Sequence, residues 1–227
     1  MVAPGTTPAS NQRVMELART HPEFVYAAIG FHPERVELTD DDLAATLSMA
    51  RTYRHCICAI GEVGLPWYGE MARRDHVVDR GRKILARFAD LANELDLALI
   101  LHCPHETARA ALSIIKAAKV RRAVFHWHKS DAATTRAILA AGYFISLTPE
   151  VVYRDRDQAL AAIVPLNRMM VETDGPWPYG GPFEGKPTEP NFIADVISAI
   201  ARLRGHSIDA IVEPLAANAK SLFGIAV

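Results

Sequence analysis

Two imidazoles and two carboxylates carry the chemical content of this 227-residue chain. Glu62, His102, His126 and Asp174 each stand at or just past the end of a short apolar run: CICAIG, ALIL, RAVF and MMVET. Together they make a mixed nitrogen and oxygen donor set, which suits Zn²⁺, Mn²⁺, Fe²⁺ or Mg²⁺ and not soft, thiolate-preferring ions. A hydrolytic site is the chemistry such a set would perform. The metal lowers the pKa of bound water and polarises the scissile group, and a neighbouring carboxylate accepts the proton. Each residue also has a plainer role open to it. A histidine ending a strand can be a hydrogen-bonded core residue, and Asp174 before Gly175 and Pro176 can cap a turn. Glu62, flanked by apolar residues, would be expensive to bury without a cation.

The elements that must bring these residues together are short apolar runs: Val25–Phe31, Cys56–Val63, Ala98–Cys103, Arg122–Trp127, Tyr143–Leu147 and Met169–Glu172. Apolar on both faces, they read as buried parallel strands. Helical patterns lie between them, from about Pro8 to Thr20, from the TDDD cap at 39–42 to about Arg54, and over Val77–Leu95. Others fall near Thr107–Ala118, Ala132–Ala141, Phe192–Leu203 and Ile208–Leu222. The alternation predicts an α/β fold with a parallel sheet. No glycine-rich dinucleotide fingerprint opens a helix, whereas reactive side chains end several different strands, as in a (β/α)₈ barrel. With the fragment Val2–Ala3 the strands number seven, so the expectation is a TIM-like barrel lacking its first strand and helix, spanning 1–227 as a single domain. The Pro- and Gly-rich segment Gly175–Pro190 is expected to be a functional loop.

Composition narrows the classes. Hydrophobic residues make up 50% and charged residues 22%, which excludes a disordered adaptor. The net charge of −1 gives no global attraction to polyanions, so contact with nucleic acid must be local. Cys56, Cys58 and Cys103 sit in apolar runs and are expected to be reduced, with Cys56 and Cys58 sharing one strand face. No apolar run reaches membrane-spanning length and no leader opens the chain, so a cytoplasmic location with no membrane partner is expected. Trp67, Tyr68, Trp127, Trp177 and Tyr179 gather in the loops around the candidate site, where aromatic rings can stack on a base or sugar. His128 and His105 are placed to assist or simply to fill loops, and the stretch Arg73–Arg87 reads as a solvated basic helix face.

Five ordered motifs, GFHPE (30–34), AIGEVGLPWY (59–68), LILHCPHE (99–106), FHWHKSD (125–131) and VETDGPW (171–177), resemble the TatD family of metal-dependent hydrolases, and the likeness extends to the closing NAKSLFG (218–224). The resemblance implies an amidohydrolase-like barrel that binds one or two divalent ions (Zn, Mg or Mn), and a deoxyribonuclease-like activity. It implies that Glu62, His102, His126 and Asp174 are metal ligands, with Glu62 able to bridge two ions and Asp174 also the general base. His32 would line the site near the substrate phosphate; His128, Trp67 and Trp177 join it as substrate-binding candidates on their own positions in the sequence. The chain departs from the family in two places. The Asp-x-His-x-His motif that normally ends the first strand is absent, in agreement with the strand count, and Pro66 stands where an Asp is frequent.

The leading expectation is phosphodiester hydrolysis of DNA or a small phosphoester by a metal-activated water. Hydrolysis of another small substrate (amide, lactone or phosphoester) is an alternative that the near-neutral charge favours. An inactive barrel remnant is the alternative outside the enzymes.

Overall fold

The computed structural model describes residues 1–225. Seven parallel strands form one curled sheet in sequential order: β1 (Val2–Pro4), β2 (Tyr26–Ile29), β3 (Ile57–Gly64), β4 (Ala98–His102), β5 (Ala123–His126), β6 (Phe144–Leu147) and β7 (Met169–Val171). Each neighbouring pair is parallel, and among the described residues β1 and β7 lie at the two edges of the sheet. The architecture is a TIM-like barrel short of one strand, as the strand count anticipates. Helices α1 (Pro8–Thr20), α2 (Asp40–Thr52), α3 (Gly69–Ala72), α4 (Asp75–Leu95), α5 (Thr107–Ala117), α6 (Ala132–Ala140), α7 (Asp155–Ile163), α8 (Ile193–Arg204) and α9 (Ile208–Phe223) connect the strands and close the chain.

Local chemistry sets the helix starts. Thr7 and Ser10 form a reciprocal capping box for α1, with Pro8 in the first turn, and Thr39 and Asp42 form another for α2. Three aspartates in the first turn of α2 complement its positive end. Asp131 caps α6 by accepting from Thr134 N–H at 2.8 Å. Gly205 and Gly224 end α8 and α9 in the left-handed conformation, φ 65° and 64°, which glycine adopts without a Cβ clash.

The side-chain period of the strands divides the core in two. Leu99 and Leu101 of β4 and Phe125 of β5 face the outer helices, whereas Ala98, Ile100 and Val124 face the barrel interior with Cys58, Phe144 and Met170. His102 and His126 continue the interior series two residues beyond Ile100 and Val124, and the ladder pairs them directly. Two imidazoles therefore meet at the carboxyl end of the barrel because the pleat alternates and the register is fixed. Gly64 is required beside them: a Cβ there would lie 1.9 Å from the His102 carbonyl oxygen.

Three details differ from the sequence expectation. Cys56 is exposed in a 3-10 turn (Arg54–Cys56) ahead of β3, so only Cys58 of the two enters the core. Helix α7 arises from DRDQALAAI, whose apolar residues make no continuous stripe, and α3 is a single turn. The segment 175–190 is mostly exposed but anchored at two points, Tyr179 and Phe183, which join Phe192 and Trp127 in a small aromatic core.

Candidate metal centre

Four strand ends and the loop after β2 converge on Glu62. Its Oε2 lies 3.3 Å from His32 Nε2, 3.3 Å from His126 Nε2 and 4.0 Å from His102 Nδ1. Two donor groupings result, His32–Glu62–His102 and Glu62–His126–Asp174, with ligand atoms within 4.8 Å of one another in each. Glu62 belongs to both. It sits where the β3–β4 register shifts between Ile60 and Val63, and that irregularity turns its side chain into the cluster. Asp174 follows β7 at φ 46°, a left-handed conformation that Asp tolerates.

The imidazoles of His102 and His126 are each oriented by a second carboxylate. His102 Nε2 lies 3.3 Å from Glu34 Oε1, and His126 Nδ1 lies 3.4 Å from Glu172 Oε1. The nitrogens left facing each other, His102 Nδ1 and His126 Nε2, are 3.1 Å apart. Glu34 is itself pinned by the backbone N–H groups of Trp67 (2.7 Å) and Tyr68 (3.0 Å), and Glu172 by that of Trp127 (2.6 Å). Carboxylates on the outer nitrogens of two inward-facing imidazoles are the usual supporting shell of a histidine metal site.

The electrostatics identify what the cluster needs. Burial works against an ionised Glu62, yet His126, His32 and His102 outweigh it and bring its pKa down to about 2. Burial also opposes charge on His126, but Glu62 and Glu172 raise it to about 10, while desolvation holds His102 at about 4 despite Glu34. The hydrogen-bond network then assigns one proton between the facing nitrogens, donated by charged His126 to neutral His102. Burial lifts Asp174 to about 7. A buried set of carboxylates that draws a cation onto its imidazoles is chemically matched to a divalent ion. The donors are nitrogen and oxygen only, since Cys58 and Cys103 are buried thiols with pKa pushed to about 12.

A family model for TatD related DNase matches residues 1–224. The chain belongs to the TatD family. A Haemophilus influenzae relative named as an uncharacterized metal-dependent hydrolase is 30% identical over 223 residues, covering 98% of this chain and 88% of the relative. The 3′-5′ ssDNA/RNA exonuclease TatD of Erwinia amylovora is 30% identical over 234 residues, 99% of this chain and 88% of that protein. The crystal structure of a TatD homologue from Escherichia coli K12 superposes with a TM-score of 0.89 at 25% identity, over 99% of this chain and 86% of that one. This TatD chain is accordingly a metal-dependent hydrolase.

Around the TatD cluster the mouth is aromatic and basic. Trp67 packs against His105 with Arg73 stacked 4.7 Å from its ring centroid. Trp177, 53% exposed, meets Trp127 edge-on at 5.4 Å. Trp127 holds φ 37°, an uncommon conformation for a bulky residue, and is fixed there by Glu172 and by Glu150, which accepts from its indole N–H at 3.1 Å. Glu150 also binds Arg154 and Arg156. Lys129 lies 3.3 Å over the Trp127 ring centroid and donates to Tyr68 Oη at 3.2 Å, and desolvation lowers it to about 8.

The structure thus brings Glu62, His102, His126 and Asp174 together and adds His32 to the donor atoms themselves. Trp67 and Trp177 stand at the mouth. His128 does not: it is 1% exposed, with Nε2 2.9 Å from Thr135 Oγ1 and its ring against Phe125. The left-handed turn at Trp127 breaks the strand alternation, so His128 leaves the face that carries His126. The sequence reading missed Glu34, Glu172, Glu150 and Lys129. The signals for the first two were positional, Glu34 two residues after His32 and Glu172 two before Asp174. No helix among the described residues is long and apolar enough to cross a membrane.

Proposed function

We propose that the chain acts as one catalytic unit that hydrolyses phosphodiester bonds of nucleic acid, and that the donors gathered around Glu62 would hold up to two divalent ions. The observation that carries this reading is the membership of Glu62 in both donor groupings. His32 and His102 would complete one position, His126 and Asp174 the other, and the mixed donors accept Zn²⁺, Mn²⁺ or Mg²⁺. A bound ion at these donors supplies Lewis acidity, lowering the pKa of water and polarising the phosphoryl oxygens. Asp174, placed beside the donors, would accept the proton of the attacking water. Glu34 and Glu172 hold the imidazoles of His102 and His126 in one orientation, with their inward nitrogens turned to Glu62 and to each other. Trp177 and Tyr68, both exposed in part, offer ring faces to a base. The buried thiols of Cys58 and Cys103 fit a reducing compartment, and we place the protein in the cytoplasm.

The test is Asp174→Asn assayed on single-stranded DNA, RNA, phosphomonoesters and lactones at matched metal content. A fall in kcat of about 10²–10⁴-fold on the phosphodiesters with an unchanged melting curve is expected. Wild-type turnover by the variant, or a wild-type preference for lactones, overturns the reading. Metal analysis of the purified protein should find about two ions per chain, bound through separate groupings.

A further inference from the structure

Lys129 is a cation without a carboxylate. Among the described residues no Asp or Glu oxygen lies within ion-pair distance of its ammonium; Asp174 of the cluster belongs to its electrostatic neighbourhood, as do Glu150 and Asp157. Those two carboxylates are occupied: Glu150 takes Arg154, Arg156 and the Trp127 indole, and Asp157 takes Arg156. A surface lysine normally sends its head group to water or to an acid. Here the head group is instead held by neutral aromatic groups, 3.3 Å from the Trp127 ring centroid, 5.8 Å from that of Tyr68, and 3.2 Å from Tyr68 Oη. Both aromatic residues also bound the metal centre. Trp127 directly follows His126 in the chain, and the Tyr68 ring meets the His102 ring edge-on at 6.1 Å. Both rings thus link the ammonium to the donor atoms, and Asp174 of the cluster lies within its electrostatic reach.

We propose that Lys129, seated on Trp127 and Tyr68, is a second phosphate-binding position that takes the phosphate next to the scissile one. The inference rests on the phosphodiesterase reading above and names how its substrate is chosen: the site selects a strand with at least two phosphates over an isolated diester. It also answers the charge problem. With a net charge of −1 the protein has no long-range pull on a polyanion, so a local cation must supply it. An ammonium deprived of a protein counterion and partly desolvated binds an incoming phosphate more strongly than a solvated surface lysine would.

Calorimetric titration of the metal-loaded protein with thymidine 3′,5′-bisphosphate and with thymidine 5′-monophosphate tests the proposal. Lys129→Met should weaken the bisphosphate roughly tenfold and the monophosphate much less. Lys129→Arg should recover most of the bisphosphate affinity. Should Lys129→Met fold poorly, Lys129→Gln removes the charge at similar stem length and makes the same comparison. In turnover of a 5′-phosphorylated dinucleotide, loss of the charge should raise KM with little change in kcat. Equal losses for the two ligands, or none for the bisphosphate, overturn the proposal, because a lysine that only supports Trp127 packing would not distinguish them. A wild-type protein that cleaves no phosphodiester defeats the earlier reading, while the titration still decides the role of Lys129.

Discussion

Glu34 and Glu172 are the residues on which the metal centre turns without touching it. Each fixes one imidazole through the nitrogen that faces away from Glu62, and each is held in turn by backbone N–H groups. Glu34→Gln retains the shape and removes the charge on the outer nitrogen of His102. Metal affinity should fall about 10–100-fold, measured by competition with a chromophoric chelator. The same residues make metal uptake proton-linked. In the metal-free protein His126 is raised to about 10 by Glu62 and Glu172 against the cost of burial. A raised histidine stabilises the fold fully below its unfolded pKa of about 6.5, and that contribution is lost as the pH climbs through about 10. Metal must displace that proton, so binding near pH 7 should release about one proton from this pair and tighten as the pH rises toward 10. Calorimetry in buffers of different ionisation enthalpy reads the release directly, and a binding heat independent of buffer would contradict the assignment. The sequence makes His102 and His126 legible because they occupy equivalent points of successive strands. It hides Glu34 and Glu172, since the Glu34–His102 contact joins residues 68 apart through a loop whose path no local pattern specifies.

Elements transmit stability to the site through a few fastenings. Asn218 of α9 donates its amide to the carbonyls of Leu166 (2.7 Å) and Met169 (2.8 Å), tying the last helix to β7 and hence to Glu172 and Asp174 just beyond it. Asn218→Ala should cost about 1–3 kcal/mol, because two carbonyls lose their donor in a buried setting. Urea unfolding should show a lower midpoint at an unchanged slope. Strands and long helices are readable from the sequence because apolar runs and capping boxes are local signals, as at Thr39–Asp42. Helix α7 escapes because Leu160 and Ala161 are buried against neighbours that the sequence does not place beside them. His128 misleads for a related reason: alternation holds through β5 and ends at the Trp127 turn, where φ becomes positive.

At the scale of the whole molecule, the candidate site lies at the carboxyl end of an open sheet in a chain of balanced charge. Lys and Arg number 25 against 26 Asp and Glu, so on the proposed phosphodiesterase reading few phosphates would be engaged. Raising salt from about 50 to 200 mM should therefore increase KM for single-stranded DNA with a shallow slope, roughly 0.7 for each of two to four phosphates, whereas a basic groove making six or more contacts would give a far steeper dependence. The mouth has a further property. All three tryptophans of the chain, Trp67, Trp127 and Trp177, stand there: on the Glu34 clamp, beside His126 and beyond Asp174. Tryptophan fluorescence of this protein, excited so that tyrosine does not contribute, is consequently a reading of the site, while circular dichroism reads the helices that surround the barrel. If the aromatic mouth loosens before the sheet melts, the two signals will part on heating, and the gap between them will measure how far the chemistry depends on order that the rest of the fold does not require.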